Sequence, residues 1–90
     1  MIGLEYDVVI PTQGRRIEML ASALSSIDRQ TIPPQRIVIV VDGSSATVES
    51  IRTRFPSRQV VHVGPEAGPA DARSAGIRIC SSEWVCFVDD

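Results

Sequence analysis

The ninety residues predict an α/β fold: a Rossmann-like, three-layer α/β/α domain with a parallel sheet in spatial order 3-2-1-4. Two observations carry this. Four short runs rich in valine and isoleucine alternate with three segments of helical periodicity. Each connection between runs is long enough to hold one helix, so the strands are parallel and the crossovers right-handed. The final run, Trp84-Val85-Cys86-Phe87-Val88, reads as a strand buried on both faces and stopped by Asp89 and Asp90.

The first strand covers residues 6–10, where Val8, Val9 and Ile10 are apolar and β-branched, and Pro11 is expected to end it by withholding a donor. Thr12, Gln13, Gly14 and Arg15 form the loop. The spacing of Ile17, Leu20, Leu24 and Ile27 predicts a helix over residues 16–29 with one buried stripe. Pro33 and Pro34 stiffen the connector. Residues 36–41 form the second strand. Asp42-Gly43-Ser44-Ser45 breaks it and offers an N-cap hydroxyl to a helix over 46–54, with Val48, Ile51 and Phe55 inward. Residues 59–63 form the third strand. Pro69 opens a third helix at its first position and the helix runs to residue 80. Its inner side is small, with Ala72, Ala75 and Gly76, so it approaches the sheet closely at about 1 kcal/mol for the mid-helix glycine.

Composition bounds the rest. A chain this short supports one domain and buries about 60–65% of its unfolded surface. Apolar content of 43% and a net charge of −2 suit a soluble globular protein and exclude the basic footprint of nucleic-acid or anionic-membrane binding. All nine basic residues are arginine, a type suited to bidentate phosphate contacts or a mark of genomic codon usage. The two cysteines, Cys80 and Cys86, read as buried free thiols in a reducing, cytoplasmic compartment. They are too few for zinc, with His62 the single histidine. The first residues lack a basic n-region, and no apolar run is long enough to span a membrane.

In open parallel sheets, ligands sit outside the carboxyl ends of the strands, at the switch point in strand order. Order 3-2-1-4 puts that point between strands one and four. Thr12, Asp42, Asp89 and Arg73, on the second turn of helix three, then converge on one rim. Asp89 and Asp90 suit Mg²⁺ or Mn²⁺. Arg73 suits a phosphate, aided by the positive end of its helix. Asp42 suits a ribose or base, though an aspartate before glycine is also an ordinary turn residue. Arg15 and Arg16 read also as surface charge. Asp71 reads as a first-turn carboxylate favoured by the dipole, His62 as structural, and Trp84 as packing. No G-x-G-x-x-G follows strand one, and a chain without lysine has no P-loop.

Five segments carry a resemblance. They are Val8-Val9-Ile10-Pro11-Thr12 with Arg15 or Arg16; Ser26-Ile27-Asp28-Arg29-Gln30-Thr31 with Pro33-Pro34; Ile39-Val40-Val41-Asp42-Gly43-Ser44; Gly68 to Gly76; and Trp84 to Asp90. In order and spacing they resemble the amino-terminal, nucleotide-binding portion of a family 2 glycosyltransferase of the GT-A fold. The third segment is similar to that family's V-D-D-G-S, the fourth to its G-x-x-x-A-R-N-x-G, and the fifth to the strand entering its D-x-D. The resemblance covers residues 1–90 as one truncated nucleotide-sugar-binding portion. It implies that Pro11 and Thr12 border the base, with Arg15 beside them. Asp42 is expected to bind base or ribose, Arg73 the base or diphosphate, and Asp89 ribose and metal, with Asp90 as a second metal ligand. The implied ligand is a UDP- or GDP-sugar with Mg²⁺ or Mn²⁺. The parent enzyme would pass the sugar to an acceptor, and this chain alone is expected to be inactive, with no catalytic base among its residues. Val41 stands for the first aspartate of V-D-D-G-S and Ser74 for the asparagine, which removes or shortens two contacts. The sequence stops inside the D-x-D, so metal affinity is expected to be weak. The competing readings are a nucleotidyltransferase-like domain and a degenerate, non-enzymatic module for protein contacts. The open edge of strand four is expected to pair with a second copy, giving a homo-oligomer.

Overall fold

A computed structural model describes residues 4–89. Strand β1 is Tyr6–Thr12, helix α1 Ile17–Asp28, β2 Arg36–Asp42, α2 Ser45–Arg54, β3 Gln59–Val63, α3 Pro69–Ile79 and β4 Trp84–Phe87. The four strands form one parallel sheet, as the connection lengths predict, in the expected order β3-β2-β1-β4.

Period-two alternation sorts the strand side chains into two cores. Val8 and Ile10 of β1 and Ile39 and Val41 of β2 face α1 and α2, where Leu20, Leu24, Ile27, Val48 and Ile51 meet them. Val9, Val38 and Val40 face α3 and pack on Ala72. Helices on both faces make the central strands near-continuous in Val and Ile. Ser44 caps α2, its hydroxyl accepting from Thr47 N at 3.2 Å.

Gly76 sets the height of α3 over the sheet. A Cβ there would lie 2.4 Å from Val9 Cγ1 and 3.0 Å from Val9 Cγ2. Asp7 holds the far end of the helix. Its side chain is fully buried in β1, where it accepts from Ser81 N (2.9 Å), Ser82 N (3.1 Å) and the Ser82 hydroxyl (2.9 Å). Burial alone would raise its pKa. The donors from Ser82 and Ser81, with the Cys80 thiol, outweigh that and hold the carboxylate below the ordinary value of 3.8. Arg36 donates to the Ile79 carbonyl and closes the same end.

Four expectations need correction. Strand β1 runs through Pro11 to Thr12, with Pro11 opposite Val40. Alternate residues of a strand turn their amide groups to opposite neighbours. The Val9 carbonyl accepts from Val88 N, so position 11 also faces β4, beyond its last paired residue, Phe87. The missing N–H of Pro11 costs no ladder bond there. Strand β4 is not buried on both faces: Trp84 is 59% and Phe87 42% exposed. It is the sheet's edge, and on the α1 side it borders an open hollow. Trp84 therefore is not a packing residue among the described ones. For the same reason Cys86 is exposed, while Cys80 is half-buried; both are free.

Candidate functional site

The carboxyl ends of β1 and β2 open into a hollow of about 390 Å³. Each wall comes from a different part of the chain. β1 delivers Pro11 and Thr12, and its loop adds Gln13, Arg15 and Arg16. Asp42 ends β2. The start of α3 supplies Gly68, Pro69, Ala72 and Arg73, and Asp89 follows β4. The strand order explains this convergence. β4 lies beside β1, so the crevice opens where the crossover changes side.

Thr12 is buried, and its hydroxyl accepts from Gly14 N at 3.0 Å, which folds the loop back over the strand end. Gly14 has φ +75°, and a Cβ there would meet Thr47 Cγ2 at 2.3 Å. The turn therefore packs on the first turn of α2 and directs Arg15 and Arg16 to the hollow. Both are exposed, so their charge faces solvent and any ligand alike.

Arg73 is exposed, with its guanidinium 5.9 Å from the centre of the Phe87 ring. That distance allows a cation–π contact. α3 starts with Pro69 after Gly68, which offers no side-chain cap, and Asp71 lies in its first turn. Asp42 is half-buried, and both of its oxygens are engaged. Oδ1 accepts from Ala67 N at 3.0 Å and Oδ2 from Gly68 N at 2.9 Å. These amides hold its pKa below the ordinary 3.8, against a smaller opposing effect of burial.

The hollow thus gathers Pro11, Thr12, Arg15, Asp42, Arg73 and Asp89. Asp90, the second expected metal ligand, lies outside the described residues. Among the described residues, no three His, Cys, Asp or Glu side chains come together as a metal cage. Arg16, read from sequence also as surface charge, lines the hollow with Arg15. The available signal was an arginine pair directly after a loop at the ligand-bearing rim. His62 is structural in its contacts, with Nε2 2.6 Å from the Gly43 carbonyl. Asp7 went unread, although an aspartate inside an apolar strand signals a carboxylate with buried donors.

A second hollow, about 730 Å³, lies on the α1 side between β1 and β4. Tyr6, Val8, Ile27, Ile32, Trp84 and Val88 make it mainly apolar. It is larger, yet it offers no cluster of charge to fix a polar ligand. Among the described residues, no helix is long and apolar enough to cross a membrane.

Comparison with known proteins gives consistent matches. The family model for glycosyl transferase family 2 matches residues 7–90. An uncharacterized glycosyltransferase of Bacillus subtilis, YwdF, is 32% identical over 89 residues, covering 97% of this chain and 32% of the relative. An uncharacterized glycosyltransferase of Haemophilus influenzae is 27% identical over 84 residues, covering 93% and 28%. A pre-mycofactocin glycosyltransferase of Mycobacterium tuberculosis is 29% identical over 89 residues, covering 94% and 17%. The chain spans a third or less of the length of these relatives.

Proposed function

Because the chain belongs to glycosyl transferase family 2, we propose that its hollow holds the nucleoside diphosphate of a nucleotide-sugar donor. One observation carries the reading: three arginines, Arg15, Arg16 and Arg73, face a single hollow with Thr12 and Asp89. Arginine's planar fork matches phosphate oxygens, and its charge persists at any working pH. The first turn of α3 adds the positive end of a helix. In this reading Pro11 and Thr12 border the base, and Arg73 and Arg15 meet the diphosphate. Asp89 takes ribose hydroxyls or a metal. The donor is of the UDP- or GDP-sugar class, and residues 1–90 form the donor-binding portion of the larger enzyme.

Mg²⁺ or Mn²⁺ suits this arrangement in a limited way. Mg²⁺ is often held by one or two carboxylates plus the phosphates of its substrate. Asp89 is the carboxylate at the hollow whose oxygens are not committed to the backbone as those of Asp42 are. A bound ion would neutralise the leaving diphosphate. Asp89 would hold it only together with the donor, so metal and nucleotide affinities should depend on each other.

Transfer also needs a group that takes the proton from the acceptor hydroxyl. Asp42 is occupied by two amides, and Asp89 belongs to the donor, so neither serves. Residues 1–90 alone are proposed to bind the donor nucleotide and not to transfer sugar.

Isothermal titration with UDP and GDP, with and without Mn²⁺, tests the proposal. It predicts weak binding that tightens with Mn²⁺. Absence of heat with both nucleotides at millimolar concentration, metal present, contradicts it.

A further inference from the structure

Phe87 and Arg73 are brought together by the packing of α3 on the sheet. Ala72 and Gly76 are the buried residues of α3, and Gly76 lies against Val9. Val9 pairs with Phe87 of β4. Paired residues of neighbouring strands point to the same face, so Phe87 stands beside Val9 on the α3 side. Arg73 precedes Gly76 by one turn, on the hollow's side of it. The close approach at Gly76 therefore lowers Arg73 onto the end of β4, and its guanidinium lies 5.9 Å from the centre of the Phe87 ring.

What Arg73 leaves open distinguishes this contact. Arg54 also lies over a ring, 5.4 Å from the centre of Phe55, but it commits both terminal nitrogens to Glu18, at 2.9 and 3.0 Å. Arg73 makes no hydrogen bond or ion pair among the described residues. An aromatic ring holds a cation without offering a lone-pair acceptor, so the N–H donors of Arg73 stay available to oxygen ligands. Phe87 itself is 42% exposed and belongs to neither core. Arg73 lines the hollow and Phe87 stands behind it.

We propose that Phe87 is a positioning residue that acts through Arg73. Its ring holds the guanidinium at the rim of the hollow with the donors free for the oxygens of a diphosphate. The consequence for binding rests on the nucleoside-diphosphate reading of the hollow; the effect on Arg73 does not. A solvent-exposed arginine loses rotamer freedom when a ligand fixes it, and a ring that already restricts the side chain removes part of that loss. A cation–π contact at an exposed site corresponds to about a two- to fivefold change in an equilibrium constant.

The test compares wild type, Phe87→Leu, Phe87→Tyr, Arg73→Ala and the Phe87→Leu, Arg73→Ala double variant. Each is titrated with UDP and Mg²⁺ by NMR at one dilute protein concentration. Phe87→Leu keeps an apolar side chain at the strand edge and removes the ring. It should weaken UDP binding about two- to fivefold, and by less than about 1.5-fold where Arg73 is already alanine. Phe87→Tyr keeps the ring and should bind as wild type does. Without ligand, the Arg73 Hδ and Nε–H signals should carry an upfield ring-current shift in wild type and Phe87→Tyr, and lose it in Phe87→Leu. An equal loss of affinity in both Arg73 backgrounds makes Phe87 a direct contact or a merely structural residue and overturns the proposal. So does an unchanged affinity in Phe87→Leu, or a Phe87→Tyr protein as weak as Phe87→Leu. If wild type binds no nucleotide, the reading of the hollow fails. The Arg73 signals then decide alone, and signals unmoved by Phe87→Leu overturn the positioning role. If Phe87→Leu does not fold, the wild-type signals decide, and the absence of a ring-current shift at Arg73 refutes it.

Discussion

Replacing Gly76 by alanine adds one methyl group where the structure leaves no room. The new Cβ would sit 2.4 Å from Val9 Cγ1, 3.0 Å from Val9 Cγ2 and 3.3 Å from Val40 Cγ2. Carbon atoms in contact prefer about 3.5–4.0 Å, so the first approach is short by more than an ångström. Val9 cannot turn away, because both of its methyls are in the path and it is fully buried in β1. α3 cannot simply rise either. Asp42 holds the loop before it and Asp7 the turn after it. Overpacking of this kind costs about 1–3 kcal/mol, against about 1 kcal/mol gained from alanine's helix propensity. With no direction of relief, the upper part of that range applies, and the net loss is about 1–2 kcal/mol. For a domain of this size the midpoint of thermal unfolding should fall by roughly 5–15 °C. Circular dichroism during heating and in urea measures it. Ser74→Ala is the control, because Ser74 is exposed on the same helix. It gains the propensity without the clash and should be neutral or slightly stabilising. A Gly76→Ala protein as stable as the Ser74→Ala protein would refute the argument that close packing explains this glycine.

The structure makes four further predictions. Asp7→Asn presents an amide donor to a site built from donors, and should cost about 2–3 kcal/mol in urea unfolding. Wild-type stability should also fall in acid. The folded pKa values of Asp7 and Asp42 are depressed below 3.8, so their contribution is complete above that pH and is lost as pH falls through the folded values. Asp7→Asn should flatten this dependence, and an unchanged acid profile would count against the Asp7 contacts. Exposed Cys86 should alkylate before half-buried Cys80, whose thiol pKa is pushed up by burial and by Asp7; peptide mass spectrometry after brief iodoacetamide treatment reads the order. The outer edge of β4, with exposed Trp84 and Phe87, should make residues 1–90 associate as concentration rises. Light scattering that shows a monomer at high concentration would refute this.

The fold was legible because its determinants are local and periodic. Runs such as Ile37-Val38-Ile39-Val40-Val41 are β-branched throughout and read as strands. The lengths between runs leave room for one helix each. Strand order followed from the doubly wound pattern, in which the chain winds outward from β1 and returns to its other side, and with it came the convergence of Thr12, Asp42, Arg73 and Asp89 on one hollow. What escaped depends on partners distant in sequence. Asp7 finds its donors 74 and 75 residues away. The amides that occupy Asp42 lie 25 and 26 residues on, and no pattern around Asp42-Gly43 announces them. Trp84 misled because an apolar run looks the same at the centre and at the edge of a sheet. Pro11 misled because a missing donor ends a strand only where a neighbour would have received it.

The central claim is that the hollow between β1, β2 and α3 receives a nucleoside diphosphate. A titration of the ¹⁵N-labelled protein with UDP and GDP, followed by NMR, tests it most directly. The shifts should concentrate at residues 12–16, 66–73 and 88–89 and grow when Mg²⁺, the diamagnetic substitute for Mn²⁺, is added. Shifts centred instead on the apolar hollow of Ile32 and Trp84, or none at millimolar nucleotide, would contradict it.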